Sequence, residues 1–180
     1  GYNYTIRAFA KDIALNEGST GNFTFRENIV PEIPTLNSPA NNSRPTASSI
    51  VLNYSSSDND TDALNYIVYF DTNANPVTQV YRGTSKTFVV ATTRGTTYYW
   101  KVQADDTFEN SSNSTIRQFT VNTLPPTPLL IAPNVTGIQL KGGQTYIINY
   151  SNATSDADGD TITISLYYST DSGLTYPNLI

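Results

Sequence analysis

The chain has 180 residues, a net charge of −5 and an isoelectric point near 4.5, with no Cys, His or Met. Lys and Arg are scattered singly, so no basic patch exists to neutralise phosphates, and nucleic acid is not an expected partner. Without His and Cys, most nucleophile–base pairs, zinc sites and thiol chemistry are excluded; the remaining carboxylates cluster in loop-like sequence, so neither an enzyme nor a catalytic residue is expected.

Charged residues make up only 14%, and Asn, Ser and Thr supply the polarity instead. Thirteen Tyr together with many Thr and Val favour strands, because aromatic and branched side chains fit a pleated, half-buried surface. No apolar run approaches the roughly 18 residues of a membrane span, so no direct membrane insertion is expected. The absence of Cys fits either a cytosolic protein or a surface protein without disulfides.

Taken in chain order, Tyr2, Tyr4, Ile6 and Ala8 alternate with polar residues and predict a strand with those four inward; Phe23-Thr24-Phe25 predicts its partner. Pro31 and Pro34 mark a stiff joint. Leu52 and Tyr54 form the next inward set, with Asn53 outward. The acidic stretch Asp58-Asn59-Asp60-Thr61-Asp62 then leads into an alternating strand carrying Leu64, Tyr66, Val68 and Phe70. Phe88 and Val90, then Tyr98, Trp100, Val102 and Ala104, then Phe119, complete the expected core. A second joint holds Pro125, Pro126 and Pro128. Past it, Asp156-Ala157-Asp158-Gly159-Asp160 precedes a predicted strand with Ile162, Ile164, Leu166 and Tyr168 inward.

These elements repeat. Tyr2–Ala8 recurs as Tyr98–Ala104 and Phe23-Thr24-Phe25 as Phe119-Thr120-Val121, both at an offset of 96. Pro34-Thr35-Leu36 with Pro39 recurs as Pro128-Leu129-Leu130 with Pro133, offset 94. Asp58, Asp60 and Asp62 recur as Asp156, Asp158 and Asp160, offset 98. A period of about 95 residues, all strands, is the size of an immunoglobulin-like sandwich. The expected fold class is therefore all-β, with tandem immunoglobulin-like β-sandwiches. Residues 1–30 are read as the last two strands, F and G, of a first sandwich, 31–124 as a complete domain, and 125–180 as the N-terminal half of a third. The chain is thus expected to begin and end inside a repeat.

The central segment resembles fibronectin type III domains, particularly the tandem copies of archaeal and bacterial cell-surface proteins. The residues that carry the resemblance are Thr96-Thr97-Tyr98-Tyr99-Trp100-Lys101-Val102-Gln103-Ala104-Asp105, Phe119-Thr120-Val121 and the acidic loop before Leu64–Phe70. The resemblance implies that Tyr98 is a tyrosine corner, its hydroxyl bonded back to the chain. Two positions depart from the family pattern: Tyr54 stands at the usual strand-B Trp, and Thr92 at the usual Leu before the corner. No Arg-Gly-Asp motif is present, so animal matrix adhesion does not carry over.

The acidic loops are the one candidate chemical site. Calcium takes roughly six to eight hard oxygens, and a curved loop converges alternate carboxylates on one ion. Asp58, Asp60 and Asp62, joined by Asp106 with Asp105 and Glu109 from the F–G loop at the same pole, form one candidate calcium set; Asp156, Asp158 and Asp160 form the other. The competing reading is a solvated turn whose Asp side chains bond nearby backbone N–H groups. In either reading the linkers are expected to land beside these loops.

Asn-x-Ser/Thr occurs at Asn3, Asn22, Asn41, Asn53, Asn59, Asn110, Asn113, Asn134, Asn149 and Asn152, about twice the chance frequency. Several are expected to carry N-linked glycans, which places the chain outside the cell, at a surface. The leading expectation is a structural repeat of an S-layer, stalk, filament or giant adhesin, with other copies of itself or neighbouring surface proteins as partners. The alternatives are an adhesion or glycan-binding module and an accessory spacer of a secreted hydrolase.

Overall fold

The computed structural model describes residues 1–151 and 155–180. It is all-β and forms two compact units, residues 1–121 and 122–180.

The first unit opens with a long hairpin. Strand β1 (Asn3–Ile6) pairs antiparallel with β4 (Phe23–Arg26), and β2 (Phe9–Lys11) pairs with β3 (Glu17–Ser19). It continues into two facing sheets. One holds β5 (Thr35–Ser38), β6 (Ser49–Ser55) and β9 (Thr87–Ala91), in the order β5-β6-β9. The other holds β7 (Asn65–Asp71), β8 (Gln79–Gly83), β10 (Thr97–Asp105) and β11 (Arg117–Thr120), in the order β11-β10-β7-β8. In sandwich lettering this is A-B-E against G-F-C-C′, a fibronectin type III-like arrangement.

The core follows from alternation. Leu36, Ile50, Leu52, Tyr54 and Val90 from the first sheet meet Tyr66, Val68, Phe70, Trp100, Val102 and Phe119 from the second. Phe88 and Tyr98 pack against this cluster while partly buried. The register places Trp100 opposite Phe70 and Val102 opposite Val68. A slip of one residue would turn every one of these side chains to water, so the pattern fixes the pairing. The Thr93 N–H donates to the Tyr98 hydroxyl at 3.0 Å, which closes the tyrosine corner.

Two polar atoms in this core are unsatisfied, the Trp100 indole N–H and the Tyr54 hydroxyl. The Tyr54 hydroxyl is buried without a hydrogen-bond partner among the described residues. Burial, then the neighbouring Tyr81 and Tyr66 hydroxyls, push it well above the usual phenol range. Tyr54→Phe keeps the ring and removes the stranded hydroxyl, so it is expected to stabilise the first unit by about 1 kcal/mol. A rise in urea midpoint at unchanged slope checks this.

The hairpin corrects one expectation. Tyr2, Tyr4, Ile6 and Ala8 alternate as an inward set should, yet all four are exposed, as are Phe23 and Phe25. Their sheet has two strands, and no second layer packs on it among the described residues.

In the second unit, β12 (Leu130–Ala132) pairs with β13 (Asn149–Tyr150), and β14 (Tyr167–Tyr168) with β15 (Asn178–Leu179). Leu130 faces Tyr150 and Ala132 faces Asn149, with a bulge between. The central sandwich has the same arrangement: Leu36 faces Tyr54, Ser38 faces Asn53, and a bulge lies between them. Leu130, Ile148, Tyr150, Ile164, Leu166 and Tyr168 line an apolar groove of about 320 Å³. The strand expected through Ile162, Ile164, Leu166 and Tyr168 forms only at Tyr167–Tyr168, and Tyr168, expected inward, is exposed while the other three are half-buried. Its counterpart β7 is held between β10 and β8, whereas β14 has β15 alone.

Candidate metal centre

Both acidic stretches fold as the same turn. The Thr61 N–H donates to the Asp58 carbonyl at 3.3 Å, and the Gly159 N–H donates to the Asp156 carbonyl at 3.2 Å. Both turns need a left-handed residue at this point. Glycine supplies it at φ 82° in the second unit; Thr61 takes it at φ 68°, an unusual backbone for a branched side chain.

Each turn grips the linker that enters its own repeat. The Ile29 N–H donates to Asp60 Oδ2 at 3.0 Å, and the Thr123 N–H donates to Asp158 Oδ2 at 3.0 Å. Ile29 and Thr123 each lie two residues before a proline, Pro31 and Pro125, and each follows an asparagine, Asn28 and Asn122. Asn28 Nδ2 donates to Asp106 Oδ2 at 2.8 Å, and the Thr123 hydroxyl donates to Asp156 Oδ1 at 2.5 Å. Further along the first linker, the Glu32 N–H donates to the Ser57 carbonyl at 2.9 Å.

The predicted residues divide. Asp58 and Asp60 come together, within hydrogen-bonding reach of each other. Asp106 is buried beside them; its Oδ1 accepts the N–H groups of Phe108 (2.8 Å) and Glu109 (2.7 Å). Asp62 is drawn away by an ion pair with Arg26, whose guanidinium also lies 3.6 Å from Asp60. Asp105 turns to Arg82, and Glu109 contributes its backbone rather than its carboxylate. In the second unit, carboxylate oxygens of Asp156, Asp158 and Asp160 lie within 4.8 Å of one another.

The electrostatics follow from this crowding. Burial, then the Asp60 side chain beside it, push the Asp58 carboxyl up, and the charges of Asp60 and Asp106 add to that. The neighbouring Asp58 side chain, the Ile29 N–H and Arg26 hold the Asp60 carboxyl down. Three buried oxygens here, Asn28 Oδ1, Asp58 Oδ2 and Asp60 Oδ1, have no hydrogen-bond donor among the described residues. Buried acceptor oxygens without donors suit a hard cation.

Among the sequon asparagines, Asn3, Asn22, Asn41, Asn59, Asn110, Asn113, Asn134 and Asn149 are exposed, and Asn152 lies outside the described residues. Asn53 is half-buried, its Oδ1 accepting Asn37 Nδ2 at 2.9 Å. Ser111 and Ser114, beside Asn110 and Asn113, are buried and bond the N–H groups of Ala104 and Val102 through their hydroxyls, which turns the two asparagines outward.

No protein-family model matches the chain, and no curated protein matches it. Similar solved structures include a fibronectin type III domain of human fibronectin type III domain containing protein 3, at 21% identity and TM-score 0.41, covering 54% of this chain and 91% of that one. Domains d3-d4 of the rat CD45 extracellular region align at 20% identity and TM-score 0.44, covering 65% of this chain and 62% of that one. The FN1-FN3 domains of chicken CNTN1 align at 14% identity and TM-score 0.41, covering 71% and 47%. The sheet order of the central sandwich defines the fold of this chain; these similarities are of fold alone.

Proposed function

We propose that the chain is a non-catalytic structural repeat of a glycosylated extracellular surface protein, a building block of an S-layer, stalk, filament or giant adhesin. The observation that carries this reading is the duplicated grip of turn on linker, Ile29 on Asp60 and Thr123 on Asp158. A module whose task is to set the direction of the next repeat fixes its linker; a tethered binding domain has no need to. The outward placement of eight of the sequon asparagines supports a glycan coat, and the partners are further copies of the chain or neighbouring surface proteins.

Glycopeptide mass spectrometry of native material tests the reading. Glycan mass is expected at the exposed asparagines, above all Asn22, Asn110, Asn113 and Asn134, with lower occupancy at half-buried Asn53. Protease shaving of intact cells should release the same glycopeptides. Unmodified asparagine at most of these sites, or peptides released only after lysis, would overturn it.

A further inference from the structure

We propose that the junction between the hairpin and the central sandwich binds a calcium-type divalent cation through Asn28 Oδ1, Asp58 Oδ2 and Asp60 Oδ1, with Asp106 orienting the asparagine.

The aspartates alone would be a polar turn, since Asp58 Oδ1 accepts the Asp60 N–H at 2.9 Å. Asn28 changes the argument. It is neutral, comes from the linker some thirty residues upstream, and carries a buried amide oxygen with no donor among the described residues, where a cation would supply the partner. Its amide nitrogen is fixed on Asp106 at 2.8 Å, and the next backbone N–H is fixed on Asp60 at 3.0 Å. The other end of the amide, Oδ1, is therefore held at the same junction, buried and without a donor. The Asp60 side chain is only 4% exposed; Oδ2 is satisfied by Ile29 and faces Arg26, while Oδ1 is left without a donor.

Charge leads to the same conclusion. Asp58, Asp60 and Asp106 bring three carboxylates to one junction, and Asp62 a fourth at its rim. Arg26 and the N-terminal ammonium, 3.9 Å from Asp60 Oδ2, offset part of this charge, and Arg82 is engaged with Asp105. Like charges that are buried and only partly offset are costly, and a divalent ion lowers that cost while supplying the partner each stranded oxygen lacks. Water completes the coordination shell. The ion would tie the linker to the B–C loop independently of any glycan or surface role.

The test is calorimetric titration of calcium chloride, with magnesium chloride as comparator, into the chain in chelator-treated buffer. An Asp156→Asn, Asp158→Asn background silences the second aspartate cluster. One calcium per chain is expected, with Kd of roughly 0.1–1 mM and a melting temperature raised by roughly 3–6 °C near saturation. Asn28→Ala should weaken binding by about tenfold or more, while Asn28→Asp, which keeps the oxygen, should retain it. Asp60→Asn should abolish it, with unchanged Trp100 fluorescence showing that the sandwich is intact. Absence of heat and of any melting shift in this background, or Asn28→Ala and Asp60→Asn variants that bind like their parent, would overturn the site.

Discussion

Trp100→Ala is expected to destabilise the first unit by about 3–5 kcal/mol. Trp100 is fully buried on β10, opposite Phe70 of β7, in a cluster fed by both sheets. Alanine leaves a cavity between sheets whose spacing is set by their other side chains, so collapse recovers little. The indole N–H has no hydrogen-bond partner among the described residues, so Trp100→Phe loses ring volume but also removes a stranded donor. It should cost clearly less than alanine. Urea unfolding followed by far-UV circular dichroism measures both variants, since Trp100 is the sole tryptophan and its fluorescence is lost with it. Equal costs for Phe and Ala, or an alanine cost below about 1 kcal/mol, would mean that this side chain does not hold the two sheets together.

The inward faces were legible because period-two alternation in a two-layer fold leaves no other register. Leu52 and Tyr54, Tyr66 and Val68, and Trp100 and Val102 are all buried as their spacing demands. The same alternation at Tyr2, Tyr4 and Ile6 predicts a face but not a covering layer, and these residues are exposed. The strand expected from Ile162 shortens to two residues for a related reason: a ladder needs a neighbour, and local pattern is silent about neighbours. In the candidate site, spacing identified the turns but not their competitors. Arg26 lies thirty-six residues from Asp62, and Arg82 twenty-three from Asp105, so neither diversion is visible in a local motif. Asn28 stands out only beside Asn122, through the shared Asn-x-x-Pro of the two linkers.

Asp106→Ala is expected to cost about 2–4 kcal/mol in chelator-containing buffer, where no cation contributes. The side chain is buried and serves three donors: the N–H groups of Phe108 and Glu109 on Oδ1, and the Asn28 amide on Oδ2. Alanine strands all three and frees the linker from the F–G loop at one stroke. Asp106→Asn keeps one oxygen for the loop but offers the wrong group to one partner, so an intermediate cost is expected. The pH dependence has a definite sign. Burial pushes the Asp106 carboxyl up, but the bonds from Glu109, Asn28 and Phe108 outweigh it and leave it below its ordinary value of 3.8. A carboxylate depressed by folding stabilises fully above its unfolded value, and that stabilisation is lost as pH falls through the folded one. The gap in unfolding free energy between the parent chain and Asp106→Ala should therefore be widest near neutral pH, hold down to about pH 4, and narrow below that. A gap that stays constant into strong acid would show that the ionised carboxylate is not what holds the loop and the linker together.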